Sequence, residues 1–233
     1  MARLSLSLLG RFQVTLDGEP LVDWPSAKVR ALLVYLVVET DRRRPEAVAH
    51  PREALAGLLW PDYPERSAHT NLSNALSHLR TVLRDRADTQ VHPYILVDRE
   101  TAGFSLESDA WVDVSEFSRL AEADPSAASS DAAAADAARQ LEEAVSLYRG
   151  SFLEGFSPHD SPSFEQWVLV TRERLQRQAM EALARLSTYE ERRGEYRQAL
   201  AHARQQLDLE PWREGAHLHP AQGLCRTHEG HSV

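Results

Sequence analysis

Residues 65–85 read ERSAHTNLSNALSHLRTVLRD, and this stretch has two faces of different composition. Apolar side chains recur at helical spacing and form one stripe: Ala68, Leu72, Ala75, Leu76, Leu79, Val82 and Leu83. The opposite face carries short polar groups and arginines, with no carboxylate: Arg66, Thr70, Ser73, Asn74, Ser77, Thr81 and Arg84. A solvated helix face usually mixes acidic and basic residues. The pattern therefore predicts a helix that buries one face and uses the other to contact a partner.

The segments around this helix predict a small mixed fold. Their hydrophobic patterns and turn signals indicate strands near residues 3–9 and 12–22, helices over 25–39 and 51–61, and a β-hairpin built from 94–97 and 103–106. Asp17-Gly18 is a turn signal between the extended runs at the N-terminus. Three helices followed by a hairpin are typical of a winged helix-turn-helix.

The second half of the chain predicts an antiparallel helical array. We expect a short helix capped near Asp113 or Ser115, a loop over 125–131, helices over 132–149 and 163–193, and another after Gly194. The last helix also fits the tetratricopeptide class, with a proline after it, through Tyr196, Ala199, Leu200, Ala203 and Pro211. The predicted fold class is mainly α with small β elements, a winged helix-turn-helix followed by a tetratricopeptide-like antiparallel α-helical domain.

Charge is distributed unevenly along the chain. The net charge is −9, yet residues 1–100 hold 13 basic and 13 acidic residues, whereas the remainder holds 13 basic and 22 acidic. The overall acidity therefore does not exclude a nucleic-acid partner for the first half. The apolar runs are too short for a membrane span, the N-terminus lacks the layout of a signal peptide, and Cys225 has no partner for an internal disulfide. We expect a cytoplasmic protein.

Catalytic and metal-binding patterns are not found in the sequence. It has no phosphate-binding loop of the G-x-x-x-x-G-K-[ST] type, no G-x-S-x-G elbow and no H-E-x-x-H helix, so we expect neither an enzyme nor a cofactor. Imidazoles and one thiol cluster near the C-terminus, at His217, His219, Cys225, His228 and His231. A single thiol without a paired C-x-x-C is more typical of a terminal tail than of a zinc site, so we predict no metal. Core packing is the expected role of Trp60, Trp111, Trp167 and Trp212.

Several separated phrases carry a resemblance to a known family. They are HPREALAGLLWPDYPERSAHTNLSNALSHLRTVLRD, YILVDRETAGFSL, WVDVSEF, LYRGSFLEGF and FEQWVLVTRERL. Together they resemble the antibiotic-regulatory, activator-type transcription factors of bacteria, which join an OmpR-like winged helix to a bacterial transcriptional activator domain. The resemblance implies a DNA-binding domain over 1–110 and a helical activator domain over 111–233. The family pattern continues with further helices where this chain has PAQGLCRTHEGHSV, so we expect a truncated helical domain.

The resemblance also implies roles for individual residues. The third helix would enter the major groove and the hairpin would contact the backbone or minor groove of double-stranded DNA, at repeated promoter sites to which RNA polymerase is recruited. Candidate DNA-binding residues are Arg66, Thr70, Asn71, Ser73, Asn74, Ser77, Arg80, Thr81, Arg84 and, in the hairpin turn, Arg99. The hydroxyl and amide groups suit base edges, and the arginines suit phosphates.

Other possibilities remain open at this level. Additional basic candidates are Lys28, Arg30 and the run Arg42, Arg43 and Arg44, for which a solvated loop is the simpler explanation. A neutral DNA-binding half favours cooperative binding as a homo-oligomer on DNA. The alternative function is a helical protein-interaction or scaffold module whose winged helix no longer binds DNA.

Overall fold

The computed structural model describes residues 4–40, 49–85 and 93–209. Seven short strands and seven α-helices lie in the described residues. In chain order they are β1 (Leu4–Ser7), β2 (Gln13–Leu16), β3 (Glu19–Pro20), α1 (Ala27–Val38), β4 (Ala49–Pro51), α2 (Arg52–Leu59), α3 (Glu65–Val82), β5 (Ile95–Val97), β6 (Thr101–Phe104), β7 (Ala110–Val112), α4 (Asp113–Leu120), α5 (Asp131–Leu147), α6 (Pro162–Arg192) and α7 (Tyr196–Asp208).

The N-terminal sheet has the strand order β3-β2-β1-β7. The structure divides the predicted strand over 12–22 into β2 and β3, because Asp17 and Gly18 both adopt positive φ and form the turn between them. The strand β7 pairs parallel with β1 across more than a hundred residues of sequence. Sequence patterns did not predict β7, since three residues are too few to show an alternating pattern.

The winged helix-turn-helix is present as predicted. The helix α1 begins after Ser26, whose Oγ accepts a hydrogen bond from the Val29 amide at 3.2 Å, and α3 packs against α1 and α2. The hairpin of β5 and β6 follows α3, and β4 adds a third strand to it on the β6 side. The apolar stripe of α3 is buried or half-buried in the core, which leaves its polar face toward solvent.

The second half is the predicted helical array. The helix α6, 31 residues long, packs against α5 and α7, and a turn with Gly194 at positive φ reverses the chain before α7. Two of the residues that suggested tetratricopeptide-like packing, Tyr196 and Leu200, are 71% and 52% exposed, so they pack little within the described part of the chain. In the described ranges no helix has both the length and the apolar character that crossing a bilayer requires.

Asp113 connects the two halves of the molecule. It is completely buried, and its carboxylate accepts hydrogen bonds from the backbone amides of Leu8 (2.8 and 2.9 Å) and Leu9 (2.9 Å). The guanidinium of Arg149 lies 3.0 Å from the same carboxylate. The prediction that Asp113 or Ser115 caps α4 is wrong, because Val112 occupies the cap position and the Asp113 carboxylate is used by the β1 end instead. Burial raises the pKa of Asp113, although the amide donors and Arg149 oppose that shift.

Further contacts join the winged helix to α6 and the segment before it. The Trp167 indole donates to the Glu39 carboxylate at 2.7 Å, and the Ser161 hydroxyl donates to the Leu59 carbonyl at 3.0 Å. One cluster of buried apolar residues extends through both halves. Trp60 is buried and Trp111 and Trp167 are half-buried, whereas Trp212 lies outside the described residues. The helical half is therefore packed directly on the winged helix.

Candidate nucleic-acid interface

The polar face of α3 is open to solvent and combines hydroxyl, amide and guanidinium groups. The hydroxyls of Thr70, Ser73 and Thr81 each donate to the backbone carbonyl four residues earlier, at 2.9 to 3.0 Å. These bonds use the hydroxyl hydrogens, so the oxygens can act only as acceptors, and the Ser73 oxygen already accepts one bond from Arg52. In the major groove, adenine and cytosine present amino groups that can donate hydrogen bonds to such oxygens.

An open groove lies between α3 and the β5–β6 hairpin. Five of the predicted residues line it, namely Ser73, Ser77, Arg80, Thr81 and Arg84. The Arg80 guanidinium donates to the Ile95 carbonyl at 3.2 Å, which holds it between the helix and the hairpin. Asp85 also lines the groove, but its carboxylate accepts the Tyr94 and Ile95 amides at 3.0 and 2.8 Å. We call this surface the α3–hairpin groove.

Arg52 is a groove residue to which no pattern in the sequence points. It begins α2, and its guanidinium donates to the Ser73 hydroxyl at 2.6 Å and to the Asp98 carbonyl at 3.4 Å. Arg52 therefore spans the groove from α3 to the hairpin. No sequence spacing indicates this position, because it depends on β4 pairing with β6 immediately before α2 begins.

Asn71 and Asn74 do not line this groove. They line a cleft shared with α1 and with the turn that contains His159 and Asp160, and Asn71 is half-buried there. Arg66 and Thr70 lie toward the N-terminal end of α3, beside Glu65 and His69. The structure thus distributes the predicted α3 residues over a central groove, a helix end and a separate cleft.

The additional basic candidates make intramolecular contacts or fall outside the described residues. The Lys28 ammonium lies 5.6 Å from the ring centroids of both Trp60 and Tyr63 and donates to the Asp160 carbonyl at 3.2 Å, and burial lowers its pKa. The Arg30 guanidinium stacks over two phenylalanine rings. The run Arg42–Arg44 and the histidine- and cysteine-containing tail lie outside the described ranges.

A hydrogen-bonded turn shapes the tip of the hairpin. The Asp98 carboxylate accepts the Glu100 and Thr101 amides at 2.8 and 2.6 Å and the Thr101 hydroxyl at 2.8 Å, which lowers the pKa of Asp98. This turn leaves Arg99 exposed at the tip. The turn therefore keeps Arg99, the residue predicted to contact DNA from the hairpin, exposed to solvent.

Arg84 adopts the left-handed conformation that usually selects glycine. Its φ is 52°, and it ends α3 in a motif where the Arg84 amide donates to Thr81 at 3.1 Å and the Asp85 amide donates to Arg80 at 2.8 Å. A left-handed non-glycine residue costs about 1 kcal/mol. Strain of this kind is concentrated at functional positions.

Arg84→Gly should therefore stabilise the fold. We expect the free energy of unfolding, measured by urea denaturation, to rise by about 0.5 kcal/mol, because relief of strain exceeds the added entropy of glycine in the unfolded chain. Arg84→Ala keeps the strained conformation and serves as the control without that gain. A stability of Arg84→Gly below that of Arg84→Ala would contradict this expectation.

Comparisons with known proteins agree with this architecture. A family model described as the bacterial transcriptional activator domain matches residues 112–231. The transcriptional regulatory protein EmbR of Mycobacterium bovis and of Mycobacterium tuberculosis is 32% identical over 157 residues, which cover 65% of this chain and 37% of each relative. The chain therefore spans little more than a third of the length of these curated relatives.

A solved structure shows the same fold. It is that of Mycobacterium tuberculosis EmbR in complex with a low affinity phosphopeptide, at 20% identity and a TM-score of 0.58, with 90% of this chain and 60% of the other covered. The match supports a winged helix followed by a helical tetratricopeptide-like domain, as predicted. Because the family model matches more than half of the sequence, the chain belongs to the bacterial transcriptional activator domain family, in agreement with the predicted resemblance.

Proposed function

We propose that this chain is a sequence-specific DNA-binding transcriptional activator that binds repeated promoter sites and recruits RNA polymerase. One observation carries the proposal: the solvent-exposed face of α3 between Arg66 and Arg84 has no carboxylate and borders a groove lined by arginines. Carboxylates on this face would repel the DNA phosphates, whereas hydroxyl, amide and guanidinium groups suit base edges and phosphates. Membership in an activator family supports the same function.

In this mechanism α3 enters the major groove. Ser73, Ser77 and Thr81 contact base edges from the centre of the helix, and Asn74 contacts a base from the cleft side, where adenine is its best partner. Phosphates are contacted by Arg66, Arg80 and Arg84, and by Arg99 at the hairpin tip. Thr70 and Asn71 add polar contacts at the helix end and in the cleft.

The helical half supplies protein contacts in this proposal. We divide the chain into a DNA-binding domain over 1–110 and an activator domain over 111–233, which contains all of the excess negative charge. A charge-neutral DNA-binding half gives a single copy only modest affinity, so neighbouring copies on repeated sites would strengthen one another's binding. RNA polymerase is then recruited by the bound helical domains.

Gel shifts with the upstream region of the protein's own operon test this function. Arg84→Ala should weaken binding at all sites and make the salt dependence shallower by about 0.9 in log–log slope, because one phosphate contact is lost. Asn74→Ala should cost about 1–3 kcal/mol at the specific site and little on unrelated DNA. Arg197→Ala, at an exposed position of α7, is the matched control and should bind like the unaltered protein.

If the unaltered protein binds no DNA fragment anywhere in the salt series, the proposed function is wrong. The winged helix would then serve as a scaffold for a helical protein-interaction module. Binding that neither Arg84→Ala nor Asn74→Ala weakens would show that DNA contacts another surface.

A further inference from the structure

We propose that the α3–hairpin groove binds phosphate groups of one DNA strand and that Arg52 supplies one of the phosphate contacts. The inference rests on the proposed function, since it requires α3 to lie in the major groove. It adds a residue of α2 to an interface otherwise built from α3 and the hairpin.

The position of Arg52 is tied to both elements that border the groove. Its backbone amide donates to the Glu100 carbonyl at 2.8 Å, immediately after Pro51 pairs with Thr101 in the three-stranded sheet. Its guanidinium contacts Ser73 on α3 and the Asp98 carbonyl in the hairpin. Contacts with both α3 and the hairpin therefore hold Arg52 in the groove.

The width of DNA determines what the groove faces. An α-helix with its side chains is about 10–12 Å across, and the major groove is about 12 Å wide, so α3 fills it. Whatever lies directly beside α3 must then lie over the sugar-phosphate backbone that borders the major groove. The α3–hairpin groove is beside α3, and so its occupant would be a row of phosphates.

The chemistry of the groove suits that occupant. Three arginines line it, Arg52, Arg80 and Arg84, against the single carboxylate of Asp85. Asp85 is only 5% exposed and its oxygens already accept two backbone amides, so it offers little repulsion. A guanidinium has five N–H donors. One terminal nitrogen of Arg52 donates to the Ser73 hydroxyl and the other donates to the Asp98 carbonyl. The N–H groups not used in these two bonds remain to donate to a phosphate oxygen.

The salt dependence of DNA binding distinguishes a phosphate contact by Arg52 from a purely structural role of that residue. We would measure affinity for a promoter duplex by fluorescence anisotropy from about 50 to 200 mM salt, with Arg52→Gln and Arg52→Lys. Glutamine keeps a polar amide but has no charge, so its log–log slope should be shallower by about 0.9. Lysine keeps the charge and should keep the slope. Arg197→Gln on α7 is the matched control and should change nothing.

Three outcomes would overturn the inference. If Arg52→Gln binds DNA with an unchanged slope, Arg52 contacts no phosphate, although the proposed function stands. If the unaltered protein binds no DNA, both proposals fall. Ser73→Ala removes the hydrogen bond between Arg52 and α3 without removing charge. If the salt dependence of DNA binding also becomes shallower in that variant, the effect comes from the placement of α3 and not from a phosphate contact by Arg52. Thermal unfolding of each variant establishes that the proteins compared are folded.

Discussion

Asp113→Ala should lower the free energy of unfolding by about 2–5 kcal/mol, mainly because two buried backbone amides lose their acceptor. The Leu8 and Leu9 amides would lose their acceptor inside the core, and Arg149 would lose its carboxylate. Each buried amide without a partner adds to the cost. A typical domain has only about 5–15 kcal/mol of stability, so the variant should unfold at a much lower urea concentration, as measured by circular dichroism.

Two variants control this experiment. Asp113→Asn keeps the shape and one acceptor oxygen but loses the charge opposite Arg149, and we expect a smaller loss than with alanine. Glu142→Ala removes an exposed carboxylate from α5 and should change stability by less than about 0.5 kcal/mol. A loss near 1 kcal/mol for Asp113→Ala would mean that the β1 end does not depend on this carboxylate.

If α3 contacts DNA as proposed, Ser77→Asp should reduce affinity for specific DNA by about 100-fold or more. Ser77 is exposed in the α3–hairpin groove, and an added carboxylate there would face phosphates and base acceptors. Like charges brought together in an interface cost several kcal/mol, and a 100-fold loss corresponds to about 2.8 kcal/mol. Stability should change by only a few tenths of a kcal/mol, because the site is an exposed helix position.

The controls distinguish local repulsion from a general charge effect. Ser146→Asp makes the same change at an exposed position of α5 and should leave DNA affinity within about two-fold, because exposed charges distant from DNA are screened by salt. Ser77→Ala should lose less than Ser77→Asp. Equal losses in Ser77→Asp and Ser146→Asp would show that overall charge, and not the face of α3, controls binding.

Some residues of the proposed interface could be found from the sequence and others could not. The polar face of α3 was predictable because helical periodicity alone puts its residues opposite the buried stripe. Arg52 was not predictable, because its contact with Ser73 spans 21 residues and depends on strand β4. Periodicity also grouped Asn74 with Ser73, whereas in the structure Ser73 lines the groove and Asn74 lines the separate cleft, since their neighbours belong to different elements.

The sequence by itself determined the order of helices, the hairpin and the fold class, because hydrophobic spacing, caps and turn residues act over a few neighbouring positions. The same local patterns predicted that α4 is capped near Asp113 or Ser115, but neither side chain caps this helix. Only the tertiary structure decided that this carboxylate holds the end of β1, that β7 completes the N-terminal sheet, and that Arg52 joins α3 to the hairpin. Each of these contacts joins distant parts of the chain, and a buried polar group takes whichever partner the packed core brings to it.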